Sequence, residues 1–299
     1  MIVSASYKTD IPAIYGRWFM NRLDAGYCSV TNPYGGQVAR VSLARDDVDG
    51  FVFWTKNAGP FLDHLSEIRR RGFPFVVQYS INGYPRELEH SVPESARACE
   101  HMRRMAGTFG PDAVVWRYDP VLVTSLTARD WHRENFSRLA RQLEGATNEV
   151  VISFAHFYAK TRRNLAAAAR LFGFSWEDPE ADWKRRLAAE LAQIAAGHAM
   201  TLGLCAQPEY REGEAYDARC IDAGRLSRIA GRPIAAKLKG NRPGCACYAS
   251  RDIGEYDTCT MGCVYCYAVR QRASARARFR AHDEAGAFLF EPQRPLGRP

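Results

Sequence analysis

Short apolar runs, five to eight residues long, recur along the first two thirds of the chain: Ile2–Ser6, Gly50–Thr55, Phe75–Ile81, Ala113–Tyr118, Val150–Phe157 and Met200–Cys205. Each is rich in Val, Ile, Phe or Tyr and is nearly continuous rather than alternating. That is the pattern of parallel strands covered on both faces. Between them lie segments with helical spacing: Ala13–Leu23, Pro60–Arg71, Pro93–Thr108, Ala128–Leu143 and a longer crossover, Ala159–Gly197. Thr127 followed by Asp130 predicts a capping box at the fourth helix start. Strand–helix alternation of this kind predicts an α/β fold with a parallel sheet. An open doubly wound sheet satisfies it, and so does a partial or closed (β/α) barrel of about six parallel strands. Gly35-Gly36 reads as a turn between Tyr34 and Val38 rather than a phosphate cradle.

After residue 205 the pattern stops. From Pro208 to Cys266 the chain is rich in Gly, Cys and Asp, with one helical patch near Asp222–Ile229. The expected organisation is a barrel domain over 1–207 and a Cys-rich extension with a basic tail over 208–299. The extension has little apolar periodicity, so part of its order is expected from metal.

Composition narrows the setting. With 299 residues, 46% hydrophobic and 25% charged, the chain can bury a large core without disulfide staples. It has no apolar stretch long enough to span a bilayer, and Met1–Asp10 lacks the features of a signal peptide, so no membrane association and a cytoplasmic location are expected. In a reducing compartment clustered thiols point to metal or redox chemistry. Seven of the nine cysteines lie after residue 200, whereas Cys28 and Cys99 stand alone and read as packed core residues. The net charge of +8 suits an anionic partner. Much of the excess is Arg270, Arg272, Arg276, Arg278 and Arg280, a run that reads first as a solvated helix face. Only Phe279 is interleaved with it, so base stacking, and with it a nucleic-acid partner, is weakly supported.

The segment Thr258-Cys259-Thr260-Met261-Gly262-Cys263-Val264-Tyr265-Cys266-Tyr267-Ala268 has the spacing C-x3-C-x2-C. Three thiolates on a short loop can reach three irons of one cubane cluster, with Gly262 allowing the tight bend. Soft thiolates favour iron–sulfur or zinc. A cubane normally takes four ligands, so three leave one iron open. A zinc knuckle lacking a ligand is the alternative.

This motif, with an aromatic before the third Cys, is similar to the signature of the radical S-adenosylmethionine superfamily. Cys263-Val264-Tyr265-Cys266-Tyr267-Ala268 looks like the branch that includes spore photoproduct lyase. From Met1 to Ala268 the chain also resembles an uncharacterised family, domain of unknown function 1848, whose cysteine cluster lies at the C-terminus. The resembling segments include Phe53-Trp54-Thr55-Lys56-Asn57, Ser80-Ile81-Asn82-Gly83-Tyr84-Pro85, Trp116-Arg117-Tyr118-Asp119-Pro120 and Asp252-Ile253-Gly254. In the superfamily the motif normally follows the first barrel strand, whereas here it follows all six. The simplest reconciliation is an extension that folds back over the C-terminal mouth of the barrel, where such barrels carry their active sites. The resemblance implies a [4Fe–4S] cluster on Cys259, Cys263 and Cys266. Its open iron would take the amino and carboxylate groups of S-adenosylmethionine, and reductive cleavage would give a 5′-deoxyadenosyl radical that attacks an unknown substrate. A reductant such as ferredoxin or flavodoxin is implied as a partner, and Tyr265 as support for the adenine.

Lys56, Ser80, Asn82, Arg117 and Asp119 lie at or just past predicted strand ends. Arg117 could fork onto the methionyl carboxylate, Ser80 and Asn82 could bond the ribose, and Lys56 and Asp119 could hold substrate or move a proton. The alternatives are that Arg117 and Asp119 stabilise the fold through ion pairs and that Asn82-Gly83 is a turn. His156 is a weaker candidate, a lone histidine near a strand end. Cys205, Cys220, Cys245 and Cys247 could hold a second iron–sulfur cluster or a tetrahedral zinc, or be scattered structural or redox-active thiols. Two rival functions stand beside the radical enzyme: an iron–sulfur electron-transfer protein and a zinc-stabilised nucleic-acid binder.

Overall fold

The computed structural model describes residues 1–292. The extension's last positions, 293–299, lie outside the described residues. The chain runs β1 (Ile2–Ala5), α1 (Ile11–Ile14), α2 (Gly16–Ala25), β2 (Tyr27–Thr31), β3 (Val38–Ser42), β4 (Gly50–Thr55), α3 (Leu62–Arg70), β5 (Phe75–Ser80) and α4 (Ser95–Phe109). It continues through β6 (Val114–Val121), α5 (Arg129–Leu143), β7 (Glu149–Phe154), α6 (Ala159–Phe172), α7 (Ala181–Ala196) and β8 (Thr201–Leu204). The segment after 208 adds β9 (Tyr216–Asp217), α8 (Ala223–Ala230), β10 (Arg251–Asp252) and α9 (Arg272–Arg280).

All six expected strands form, and they lie side by side in one parallel sheet of eight with the order β10-β1-β4-β5-β6-β7-β8-β9. The sheet is therefore larger than the expected six strands. Among the described residues no pairing joins β9 to β10, so no closed barrel forms. Both edge strands are two-residue pieces from the chain after 208, where polar sequence gives no strand signal.

Two covered faces explain the unbroken apolar runs. On one face Phe51, Phe53, Phe75, Tyr79, Trp116 and Tyr118 pack under the crossover helices; Trp116 stacks on Phe136 of α5 with ring centroids 4.7 Å apart. Alternate residues point to the other, inner face. Ile2, Val52, Val76, Val115 and Val151 form its apolar floor and pack with Ile221 and Leu226 from the chain after β9. One pleat further on, the same face carries Ser4, Gln78 and Arg117, all buried. Apolar contacts hold the floor, and the polar layer lies toward the C-terminal strand ends.

Local departures have local causes. The long crossover breaks into α6 and α7 at Gly173, a left-handed cap with φ of 72°. The Thr127 capping box does not form: the Thr127 hydroxyl donates 2.8 Å to the Leu122 carbonyl, and Ala128 occupies the cap position. Gly35-Gly36 does lie in a turn, the one joining β2 to β3, with Gly36 N–H on the Asn32 carbonyl at 2.9 Å. The chain end returns to α2, where the Trp18 indole donates 3.0 Å to the carbonyls of Gly286 and Phe288.

Candidate metal centre

The three-cysteine loop is clamped to the segment that follows β5. Val264 N–H donates to the Leu88 carbonyl at 3.1 Å, Ser91 N–H to the Met261 carbonyl at 3.0 Å, and Glu89 pairs with Cys263 in an antiparallel bridge. Gly262 sits at φ +74° with the Arg272 guanidinium where a side chain would go; a Cβ there would lie 2.8 Å from Arg272 Nε. A late segment of sequence is thus held beside the ends of early strands.

Side chains from three loops meet at this clamp. Lys56, one residue past β4, donates 2.8 Å to Asn82 Oδ1 and 2.7 Å to Glu89 Oε1. The Tyr265 hydroxyl donates to the same Glu89 oxygen, and Lys56 Nζ lies 5.6 Å from the Tyr265 ring centre. Burial alone would lower the Lys56 pKa, but Glu89 and the Cys263 sulfur outweigh it, and the net shift is upward. Lys56 therefore stays an ammonium. Behind this group, His132 receives the Tyr118 hydroxyl at 2.8 Å and lies 3.1 Å from the Leu122 carbonyl, which assigns the proton to its Nε2. Asn135 donates to Tyr118 Oη at 3.1 Å and to the Asn82 carbonyl at 2.7 Å, fixing the backbone from which Asn82 reaches Lys56.

The thiols feel one another and their surroundings. Burial pushes Cys259 up to about 12, with Asp10 and Cys266 adding to it. Burial also drives Cys263 well above the ordinary range despite Lys56, and raises Cys266 despite backbone N–H groups such as Ala268, 3.3 Å from its sulfur. A lone thiolate is unfavourable here, and a bound metal would supply the missing positive charge. Three soft donors, amide N–H groups and a nearby ammonium fit a thiolate-bound cluster. Among the described residues no three Cys, His, Asp or Glu side chains surround a single point at ion-binding distance. A cubane places each cysteine on a different iron, so its ligands need not do so.

Arg117 and Asp119 form a separate group on the inner face. The Arg117 fork reaches Asp119 Oδ2 at 3.2 Å and 2.5 Å, and its other terminal nitrogen lies 3.3 Å from Gln78 Oε1 and 2.8 Å from Cys220 Sγ. Its guanidinium lies 5.0 Å from the Trp54 ring centre. Burial would raise the Asp119 pKa, but Arg117 and the Ser153 hydroxyl hold it below the usual carboxylate range. Ser80 is the register neighbour of Arg117. Lys56, Asn82, Tyr265 and the three motif cysteines therefore come together, whereas Arg117 and Asp119 satisfy each other as the ion pair. His156 lies 3.2 Å from Gln207, whose amide bonds the Phe154 backbone. Cys28 and Cys99 are buried in the core.

The other four cysteines also gather. Cys205 and Cys220 have sulfurs 3.5 Å apart, Cys247 contacts Cys220, and Cys245 contacts Cys247. The Cys247 thiol and backbone N–H groups lower Cys245 to about 6.

Three acids escaped the sequence reading. Glu89 has no periodic signal, lying in the loop after β5. Asp10 caps α1, accepts the Lys56 N–H at 2.7 Å and is raised by burial to about 6; an Asp before Ile11-Pro12 is a readable helix-start signal. Asp252 binds the hydroxyls of Ser4 and Ser6, both at 2.8 Å, tying β10 to β1. It was visible only as part of Asp252-Ile253-Gly254.

The fold and site define an α/β protein with an open eight-stranded parallel sheet and a three-cysteine loop held at its strand ends. Within that class, the chain belongs to the family described as a domain of unknown function (DUF1848), whose model matches residues 2–268 and so includes the whole cysteine motif. No curated protein and no solved structure matches it. Among the described residues no helix is long and apolar enough to cross a membrane.

Proposed function

We propose that this protein is a radical S-adenosylmethionine enzyme whose [4Fe–4S] cluster is held by Cys259, Cys263 and Cys266. The observation that carries this reading is the Glu89–Cys263 bridge, which holds a C-x3-C-x2-C loop from the chain's far end beside the ends of β4 and β5. We read the sheet as a partial barrel and the chain after 208 as the cover of its mouth, the place where barrel chemistry is done. Bound there, the cluster would supply the electron that cleaves S-adenosylmethionine to a 5′-deoxyadenosyl radical.

The protein's own residues position and neutralise. Lys56, kept cationic by Glu89, is the ammonium that faces the cluster loop and a carboxylate brought to it. Its side chain is 14% exposed against 4% for Arg117, whose fork is already on Asp119, so Lys56 rather than Arg117 offers the accessible charge. Tyr265 and Tyr84, packed edge to face with centroids 5.9 Å apart, exclude water from one side of the loop. Asn82 holds Lys56 in place, while Ser80 and Asp119 belong to the neighbouring Arg117 group.

The test is anaerobic reconstitution with iron and sulfide, then reduction and an assay for 5′-deoxyadenosine from S-adenosylmethionine. Wild-type protein is expected to form it and a Cys263→Ala variant is not. A loaded [4Fe–4S] protein that forms none with several reductants would overturn the reading in favour of electron transfer. A protein that takes up only zinc would overturn the cluster itself.

A further inference from the structure

The inner face of the sheet gathers four thiols that the radical chemistry does not use. Cys205 follows β8, Cys220 follows β9, and Cys245 and Cys247 come from the loop between α8 and β10. We propose that these four cysteines form a second metal centre, a tetrathiolate site for iron or zinc, separate from the Cys259–Cys266 loop.

The spacing of the sulfurs is the first support. A thiolate sits about 2.3 Å from zinc, so two sulfurs on one tetrahedral ion lie about 3.8 Å apart. Cys205 and Cys220 are 3.5 Å apart before any metal enters. The contacts run in series, Cys205 to Cys220 to Cys247 to Cys245, and no three of the four surround one point. A series of two adjacent pairs matches the way a two-iron cluster divides four cysteines. A single ion would require the end members to swing inward.

The surrounding charge is the second support. Arg117 Nη1 lies 2.8 Å from Cys220 Sγ, Arg242 Nη2 lies 3.7 Å from Cys205 Sγ, and Ile221 N–H lies 3.4 Å from Cys247 Sγ. The neighbouring thiols and burial keep Cys205, Cys220 and Cys247 protonated in the absence of metal, and the two guanidinium groups and the amide aimed at sulfur offset part of the cost of the thiolates that a metal would require. As each sulfur bonds the metal, its proton leaves to solvent, and the negative charge left behind lies against Arg117 and Arg242.

The carrying loop gives the third. Residues 231–250 contain no helix and no strand of the sheet, yet Lys239 N–H bonds the Cys247 carbonyl at 2.9 Å and Ala249 N–H the Lys237 carbonyl at 2.8 Å. This small hairpin presents the C-x-C pair. At Gly240 a Cβ would lie 2.4 Å from the Cys245 carbonyl oxygen, so the backbone passes directly against the ligand residue. Ile234, Ala236 and Tyr248 pack on the floor of the sheet, and a metal on the C-x-C pair would fix the rest of the loop.

The experiment separates this centre from the first. A Cys259→Ser/Cys263→Ser/Cys266→Ser variant is reconstituted anaerobically with iron and sulfide, and separately with zinc, and metal and acid-labile sulfide are measured per chain. Retention of one zinc, or of at least two irons with sulfide, that disappears on adding Cys245→Ser is expected. Iron with sulfide identifies the cluster form and zinc alone the single-ion form; either supports the site. A folded variant that binds neither metal and titrates as free thiols overturns it, as does a Cys205–Cys220 disulfide found in anaerobically prepared protein. Should the triple variant not fold, Cys245→Ser in the otherwise intact chain gives a second test. Its metal content should fall by that of one centre, and unchanged content overturns the proposal. Because metal is counted rather than turnover, failure here leaves the radical reading standing, and failure of that reading leaves this one.

Discussion

The two groups of cysteines in this chain were built by different means. Cys259, Cys263 and Cys266 sit on one short loop, and the protein's work is to carry that loop to the strand ends through Leu88, Glu89 and Ser91. Cys205, Cys220, Cys245 and Cys247 are spread over more than forty residues, and the sheet and the C-x-C hairpin must bring them together. The upper group is faced by the carboxylates of Asp10 and Glu89 and by the ammonium groups of Lys56 and Lys160. The inner group is faced by the guanidinium groups of Arg117 and Arg242, with the Asp119 carboxylate beside them. A contiguous motif needs only to be placed, whereas a dispersed one depends on the whole fold. The upper group should therefore respond to local changes, and the inner group should report on the order of the chain after 208.

The largest expected effect tests that independence directly. Cys263→Ala should reduce 5′-deoxyadenosine formation to background while leaving the inner metal in place. Cys245→Ser should remove the inner metal. Loss of both metals in both variants would join the two groups into one cooperative unit and break the comparison.

Next in size is the Lys56–Glu89 pair, which anchors the upper group. Its side chains are 14% and 3% exposed, so removing one partner strands a buried charge. Glu89→Ala should cost about 3–5 kcal/mol, read from denaturant unfolding. Lys56→Met in the Glu89→Ala background should recover part of that loss, because no unpaired ammonium remains. A cost under about 1 kcal/mol would mean the pair behaves as a solvent-screened surface bridge.

How much of this was legible depends on contiguity in the same way. The strands around Phe51–Phe53, Val76–Val77 and Val150–Ile152 could be read because each is apolar on both faces. The edge strands Tyr216–Asp217 and Arg251–Asp252 could not, because two residues have no period and their pairing is set by the neighbouring strand. Lys56, Asn82 and Tyr265 were found at strand ends and in the motif. Glu89, which joins them, lies in a loop whose position depends on a contact across the chain to Cys263. Arg117 and Asp119 were expected at a strand end, but β6 runs on to Val121 and holds both inside the strand, and sequence spacing does not say that the guanidinium will close on the carboxylate two residues on. Thr127 fails for a different reason: the turn just before α5 gives its hydroxyl another nearby partner, the Leu122 carbonyl five residues back, in place of the cap.

A pH experiment examines the support beneath the upper group. Burial lowers the His132 pKa from 6.5 to about 4, with its bond to Leu122 opposing. Because the folded value lies below the ordinary one, protons bind the unfolded chain more readily. The stability that His132 contributes is complete above about 6.5, falls as pH drops toward 4 and is fully lost below that. His132→Gln should flatten this part of the stability profile. An unchanged slope between pH 6.5 and 4 would place the acid sensitivity elsewhere.

The smallest effect is the sharpest probe of the inner group. The Trp54 ring faces the Arg117 guanidinium at 5.0 Å, and its indole N–H donates 3.1 Å to the Ser4 hydroxyl. Trp54→Phe keeps an aromatic face but weakens the cation–π contact and removes the indole bond. When the inner thiols are metal-bound thiolates, Arg117 has two anionic partners, Asp119 and the Cys220 sulfur, and the ring matters least. The substitution should then cost about 0.5–1 kcal/mol. In metal-free protein Cys220 returns to a neutral thiol, the ring and Asp119 carry more of the burden, and the cost should rise toward about 2 kcal/mol. The Trp54 ring bonds Ser4 and faces Arg117 rather than the Lys56–Glu89 pair, so 5′-deoxyadenosine formation should stay at the wild-type level in either case. Equal penalties with and without metal would mean that Arg117 does not sense the inner sulfurs, and the charge-based half of the contrast between the two groups would fall.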